Sequence, residues 1–86
     1  MPTISEFFGI SIRIFYRDHD APHFHAYYGS DEASVRIRDL VVVAGSLPPR
    51  ALGLVIEWAT IHRAELEHDW ACARAGRPLD PIPPLR

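Results

Sequence analysis

The stretch ISIRIFYR, residues 10–17, opens with isoleucine alternating with serine and arginine. A period of two places successive side chains on opposite faces of a β-strand. Further segments with strand character follow at residues 23–28, 32–38 and 40–43, separated by turns that contain Asp, Gly or Pro. The pattern predicts a small sheet of three to four mostly antiparallel strands within residues 10–43.

A long helix is predicted after the sheet. Two consecutive prolines suit the first turn of a helix, where a backbone N–H is not needed, and Gly76 is a typical C-terminal stop. The helix is expected from about residue 48 to residue 75, and a Pro-rich extended tail from 77 to 86. These elements predict an α+β fold in a single domain, residues 1–86, with one long C-terminal helix packed across the sheet.

Strand alternation divides the sheet into two faces. If the isoleucines at positions 10, 12 and 14 point toward the helix, the opposite face is rich in Arg and His. That face consists of Arg13, Arg17, His23, His25, Tyr27, Ser34, Arg36 and Arg38. Arginine pairs well with phosphate. The candidate phosphate-binding residues are therefore Arg13, Arg17, Arg36 and Arg38.

Two residues of this face, His23 and His25, support a catalytic hypothesis. As i,i+2 neighbours in a strand, they project the same way, about 6–7 Å apart. One imidazole would take the 2′-hydroxyl proton of RNA, and the other would protonate the leaving oxygen. The arginines of the same face would neutralise the charge that develops on the phosphate. This hypothesis makes the two histidines catalytic and requires no metal.

The same pair also fits a metal site. Two imidazoles and one carboxylate are accepted ligands of a divalent transition metal such as zinc, and they leave a position open. Asp18 is the candidate carboxylate, with Asp20 and Glu65 as further choices. A third role is structural, with the imidazoles hydrogen-bonded to turn carbonyls or to Asp18. The sequence leaves these three roles open.

Apolar residues on the predicted helix form two bands. The first band is the expected core face. The second band contains Leu54, Trp58, Ile61 and Cys72 and lies on the far side of the helix, which a single sheet cannot cover. Either the tail wraps this second band or a partner covers it. We expect a homodimer with Leu54, Trp58 and Ile61 at the interface and Trp58 at its centre, and tail wrapping is the alternative.

Length and composition exclude several classes of protein. The chain has 86 residues, which allow only one small core. Its net charge of −2 argues against a protein that coats nucleic acid nonspecifically. The single cysteine cannot form an internal disulfide, which fits a reducing compartment. No apolar run approaches the roughly 20 residues of a membrane span, and no signal-peptide pattern begins the chain. We expect a cytoplasmic protein without a membrane partner.

Several motifs together resemble one bacterial family. They are MPTIS at residues 1–5, FGI at 8–10, DH at 18–19, PHFH at 22–25, GSLP at 45–48, EWA at 57–59, and HRAEL at 62–66 followed by Trp70. Over almost its whole length the chain is similar to the domain of unknown function 4160 family. The resemblance implies a small bacterial protein, often encoded beside a partner of the domain of unknown function 2442 type, in pairs that have been compared with toxin–antitoxin modules.

We therefore expect a component of a bacterial toxin–antitoxin-like module that binds or cleaves RNA through the Arg/His face. Its expected partners are a second copy of the chain, RNA and a small cognate protein. One alternative is a metal-binding domain that uses His23 and His25, and another is a non-catalytic module that binds a partner protein. The sequence does not decide between a metal-independent ribonuclease and a binding module without catalytic activity.

Overall fold

The computed structural model of the chain describes residues 3–86, so that Met1 and Pro2 of the family-like N-terminal motif lie outside it. Five strands precede two helices. They are β1 (Thr3–Phe7), β2 (Ile10–Arg13), β3 (His23–Tyr28), β4 (Asp31–Arg36), β5 (Val42–Ser46), α1 (Pro49–Ile61) and α2 (Arg63–Arg74). The strands form one antiparallel sheet in the order β1-β2-β3-β4-β5, in which each strand pairs with the next along the chain. The α+β class is confirmed, but the number of elements differs from the prediction.

The prediction of three to four strands was wrong because it missed β1. Ile4 and Ser5 are both buried, since the pairing of β1 with β2 shifts between Thr3 and Ser5. An irregularity of this kind interrupts the alternation that identifies a strand in a sequence. A two-residue turn joins the two strands, and both of its residues, Phe8 and Gly9, have positive φ, at 50° and 79°. Such turns match the twist of a hairpin.

The last strand is also displaced from its predicted position at 40–43. Leu40 belongs to the preceding turn, with φ 56°, and Gly45, which follows the predicted segment, lies inside β5 with φ 71°. A Cβ atom at position 45 would overlap the carbonyl oxygen of Glu32 in β4. Glycine is required here because it adopts positive φ readily and lets the two backbones approach closely.

The single long helix that was expected is divided at His62, whose φ of −111° and ψ of 25° are not helical. The Thr60 hydroxyl donates a hydrogen bond to the Ile56 carbonyl oxygen over 2.7 Å, a contact that bends helices. Thr60 and Ile61 are also β-branched, which makes them weaker helix formers. The His62 N–H still donates to the Trp58 carbonyl oxygen at 3.1 Å, so the division is a local distortion between α1 and α2.

One face of the sheet packs in the core, as strand alternation predicted. The buried residues of this face lie in β2, β3 and β4 or shortly after β2 and β4, and each is at most 1% exposed. They are Ile10, Ile12, Ile14, Phe24, Ala26, Ala33, Val35 and Ile37. Val55, Ala59 and Leu66 of the helices belong to the same cluster and are fully buried. Tyr28, the last residue of β3, is 39% exposed, where the strand passes into the turn at Gly29.

Trp58 lies inside the protein, and its predicted place at the centre of an outward-facing band was wrong. It is 0% exposed and is the largest of the fully buried side chains in the described residues. Its ring centroid lies 5.4 Å from that of Phe7 in β1 and 6.0 Å from that of Phe24 in β3. The indole Nε1 donates a hydrogen bond to the Pro83 carbonyl oxygen over 2.9 Å. The unpredicted strand and the tail therefore cover this residue.

The C-terminal tail packs on the domain, which was the alternative explanation for the second apolar band. The Ile82 N–H donates to the Ile4 carbonyl oxygen of β1 over 2.8 Å, and the Ile82 side chain is buried. Of the other two predicted interface residues, Leu54 is half-buried and Ile61 is 63% exposed. The homodimer stays a prediction, with Ile61 rather than Trp58 exposed to a partner.

Candidate metal centre

The Arg- and His-rich face that the alternation predicted is centred on β3. Phe24 and its alternate neighbours point into the core, so His23 and His25 lie on the opposite side of the sheet, where both are half-buried. Strand pairing places Ser34 opposite His25 on one side and Arg13 on the other. It also places Arg36 opposite His23. Residues from three strands are therefore brought to this face.

Asp18 reaches this face from the loop between β2 and β3. Because β2 ends at Arg13, earlier than predicted, residues 14–22 are free to turn back over the strand ends. The Asp18 Oδ2 atom lies 2.8 Å from His25 Nε2 and 3.2 Å from His23 Nε2. One ligand atom from each of the three residues lies within 4.8 Å of the others. Of the carboxylates that the sequence offered as ligands, Asp18 is the one that joins the pair.

The second nitrogen of each imidazole also faces an oxygen atom. His23 Nδ1 lies 2.9 Å from the Ala21 carbonyl oxygen, which can only accept a hydrogen bond. His25 Nδ1 lies 3.2 Å from the Glu32 carboxylate and 3.2 Å from the Ser34 hydroxyl. The Ala21 carbonyl assigns the proton of a neutral His23 ring to Nδ1, and the Glu32 carboxylate favours the same tautomer for His25, in which both Nε2 lone pairs would point at Asp18.

Aromatic side chains hold the two imidazoles in place. The Phe15 ring meets His25 edge-on with the centroids 4.8 Å apart, and Trp70 of α2 lies 5.2 Å from His23. Tyr27 stacks near His25 at 6.5 Å. Burial, followed by the nearby Glu32 carboxylate, raises the pKa of the Tyr27 phenol. The contact between Trp70 and His23 was not predicted from the sequence.

Arg74, near the end of α2, fixes the loop that carries Asp18. Its Nη1 donates a hydrogen bond to the Asp18 carbonyl oxygen over 2.6 Å and lies 3.2 Å from His19 Nδ1. The Tyr16 hydroxyl of the same loop donates to the Arg77 carbonyl oxygen over 2.9 Å. Arg74 was not among the predicted site residues, because it lies 56 positions from Asp18 in the sequence and no local pattern connects them.

The four predicted phosphate-binding arginines have different surroundings. The Arg13 guanidinium lies over the Tyr27 ring, 4.4 Å from its centroid. Arg36 makes two hydrogen bonds to Asp39, at 2.9 and 2.7 Å, and they hold the pKa of that carboxyl below its usual value. Arg17 and Arg38 are exposed in turns outside the strands. Arg13 and Arg36 therefore flank the histidines, and each already has a partner within the chain.

The two remaining candidate carboxylates are placed elsewhere. Glu65 Oε1 lies 2.5 Å from His62 Nδ1, within one turn of α2. Asp20, with φ 62°, lines a surface cavity of about 400 Å³ that adjoins the histidine pair. The cavity is lined by Asp20, Ala21, His23, Ser34, Arg36, Val43 and Ala44. It gives small molecules access to the edge of His23.

A small antiparallel sheet crossed by two helices, with two histidines and one carboxylate converging on its outer face, defines a compact α+β domain with a candidate metal centre. The family model described as Domain of unknown function (DUF4160) matches residues 9–71, and the chain belongs to this family. The matched residues include Asp18, His23 and His25. No curated protein and no solved structure matches the chain. In the part of the chain that is described, no helix is long and apolar enough to cross a membrane. The family resemblance is confirmed, while the partner of the domain of unknown function 2442 type stays a prediction.

Proposed function

We propose that this domain binds a divalent transition-metal ion through His23, His25 and Asp18. One observation carries the proposal: the Nε2 atoms of both imidazoles lie within 3.2 Å of one carboxylate oxygen, Asp18 Oδ2, while both Nδ1 atoms face oxygen atoms on their other side. If both rings are neutral, three lone pairs meet with no donor between them. Such a cluster needs added positive charge, either as protons or as a metal cation.

The distances between the three ligand atoms are short enough for one metal ion to bridge them. Zinc binds imidazole nitrogen and carboxylate oxygen at about 2.0–2.2 Å, which in tetrahedral geometry places neighbouring ligand atoms roughly 3.4 Å apart. The two histidine–Asp18 distances, 2.8 and 3.2 Å, lie below that value, so the ligand atoms would move slightly apart around an ion. Small rotations of side chains that are already half-buried would complete the geometry.

The contacts behind the ligands are those expected around a bound metal. A ligating histidine usually donates its other ring N–H to a carboxylate or a backbone carbonyl, which fixes its tautomer and orientation. Glu32 fills this role for His25, and the Ala21 carbonyl fills it for His23. Arg74 supports Asp18 through its backbone carbonyl.

An ion held by three protein ligands keeps open positions, as catalytic metal sites do. Water or a substrate oxygen would occupy them, and the ion would lower the pKa of that water or polarise the substrate. The cavity beside His23 provides room for such a ligand, and the Arg36 guanidinium lines it. We therefore assign the domain to the metal-dependent class, with a reactive position open to solvent.

Metal analysis of tag-free protein tests the proposal. Protein loaded with Zn²⁺ or Fe²⁺ and then desalted should retain one equivalent more than the Asp18→Asn and His23→Ala/His25→Ala variants. Glu32→Gln should weaken binding about 10- to 100-fold by removing an outer contact. His62→Ala is the matched control, since that histidine pairs with Glu65 away from the site. Equal metal content in wild type and the Asp18→Asn variant would refute the proposal.

The hypothesis of metal-independent RNA cleavage has less geometric support. A scissile phosphate would need the space between the two imidazoles, where Asp18 Oδ2 lies. Its carboxylate would repel the phosphate. The toxin–antitoxin role, RNA binding and the small cognate partner stay predictions from the sequence. They are compatible with a metal centre on the same face.

A further inference from the structure

A second cluster of metal-binding residue types lies on α2, away from the sheet. His68 and Cys72 are four residues apart on the helix, and the Cys72 Sγ atom lies 3.4 Å from His68 Nε2. One ligand atom from each of His68, Asp69 and Cys72 lies within 4.8 Å of the others. Asp80 of the tail adds a carboxylate, with Oδ2 3.2 Å from His68 Nε2. None of these residues belongs to the site on β3.

The buried carboxylate of Asp69 is a second, independent observation that points to a ligand at this cluster. Asp69 is 0% exposed. Its Oδ1 accepts a hydrogen bond from the Asp80 N–H over 2.9 Å, whereas its Oδ2 is buried without a hydrogen-bond partner within residues 3–86. A buried carboxylate oxygen without a partner is costly, and a proton or a cation would relieve that cost. Burial also raises the pKa of Asp69.

We infer that His68, Asp69 and Cys72 bind a second divalent metal ion of the zinc type, and that the Asp80 carboxylate, which lies beside His68, moves in as the fourth ligand. Thiolate, imidazole and carboxylate are the ligand types that zinc uses, and four protein ligands form a closed, structural site. A surface cavity of about 280 Å³, lined by His68, Asp69 and Asp80 among others, gives the ion a path to the cluster.

The position of Asp80 indicates what this ion would do. Asp80 precedes Ile82 and Pro83, through which the tail bonds to β1 and to Trp58. An ion that joins α2 to Asp80 would tie the tail to the domain at a third point. Small domains often gain stability from a structural metal, because their cores are small. Metal binding at this site should therefore stabilise the tail and the core beneath it.

Cobalt titration of the reduced, tag-free, full-length chain tests this inference. Co²⁺ bound to a thiolate has a charge-transfer band in the near ultraviolet, and Cys72 is the only cysteine of the chain. Wild type should develop this band with one equivalent per chain. The His23→Ala/His25→Ala variant should develop it equally, which separates this site from the one on β3.

Substitutions within the cluster make the test quantitative. Cys72→Ser should abolish the band and lower zinc content by one equivalent, while circular dichroism confirms that the variant is folded. His68→Ala and Asp80→Asn should each weaken cobalt binding at least tenfold. Glu67→Gln changes a neighbouring exposed carboxylate of α2 and should have no effect. The inference is wrong if folded wild type shows no thiolate band at cobalt concentrations that fill the β3 site, or if His68→Ala binds as tightly as wild type.

Discussion

Replacing Trp58 by phenylalanine distinguishes a core residue from an interface residue. The substitution keeps an aromatic ring beside Phe7 and Phe24 but removes the indole N–H that donates to the Pro83 carbonyl oxygen. Loss of that hydrogen bond costs about 1 kcal/mol. The smaller ring leaves a void of roughly 40 Å³, which adds about 1 kcal/mol at about 24 cal/mol per Å³. We expect the free energy of unfolding to fall by about 2 kcal/mol.

A loss of this size is large for a domain of 86 residues, whose total stability is expected to be about 4–13 kcal/mol. It corresponds to a decrease in the thermal midpoint of roughly 8–16 °C. Urea unfolding followed by far-ultraviolet circular dichroism measures the change without relying on tryptophan fluorescence. Ile61→Ala is the control, because Ile61 is 63% exposed, and its effect should stay within about 0.5 kcal/mol.

The same experiment has a clear contrary result. If Trp58→Phe unfolds like wild type, within about 0.5 kcal/mol, then Trp58 does not support the core as described. If stability is unchanged and the variant also elutes as a smaller species than wild type, the tryptophan lies between two copies of the chain. That outcome would restore the interface predicted from the helix pattern.

Three further predictions concern the backbone, the loop and a buried carboxyl. Gly45→Ala should lower the free energy of unfolding in urea by about 2 kcal/mol or more, since φ at this position is 71° and the new Cβ overlaps β4. Gly53→Ala in α1 is the control, because its Cβ meets no atom and the change should be neutral or stabilising. Equal effects of the two substitutions would refute the strand register. Arg74→Met should weaken zinc binding at the β3 site about tenfold, because it removes the hydrogen bond that holds the Asp18 loop. Competition with a chelating dye measures the affinity. Unchanged affinity would show that Arg74 does not position Asp18. In metal-free protein, burial raises the pKa of Asp69 in the folded state. Its protonated form therefore stabilises the fold fully below the ordinary carboxyl pKa of about 4, and this stabilisation is lost as the pH rises through the raised pKa. Asp69→Asn should lack this loss in urea unfolding across that pH range, and a constant difference between the two proteins would contradict the assignment.

Alternation located the central strands β2, β3 and β4, but β2 and β4 both end earlier than predicted. Residues 23–28 were predicted as a strand, and β3 has those bounds. β1 has an irregular register and no alternation, so no local pattern announced it. The helix pattern was correct in extent but not in continuity, because the distortion at His62 depends on a side-chain contact made by Thr60.

The candidate site was predictable only in part, because some of its contacts join segments that are distant in the sequence. That His23 and His25 share a face follows from covalent geometry, since successive side chains of any strand alternate. That Asp18 completes the cluster, rather than Asp20 or Glu65, depends on how the loop turns back over β3. Arg74 and Trp70 reach the site from a helix about 50 residues further along the chain. No pattern of neighbouring residues encodes such contacts.

The sequence by itself determined the α+β class, the two faces of the central strands and the pairing of two histidines on one of them. The faces and the histidine pair follow from the two-residue period of a strand, and the helical part of the fold follows from the helix pattern, so they can be read without knowing the fold. Only the tertiary structure decided that Trp58 is buried, that the tail closes over it, and that Asp18 lies between the histidines. Those outcomes depend on contacts between distant segments, whose free energies are set by packing and burial across the whole domain.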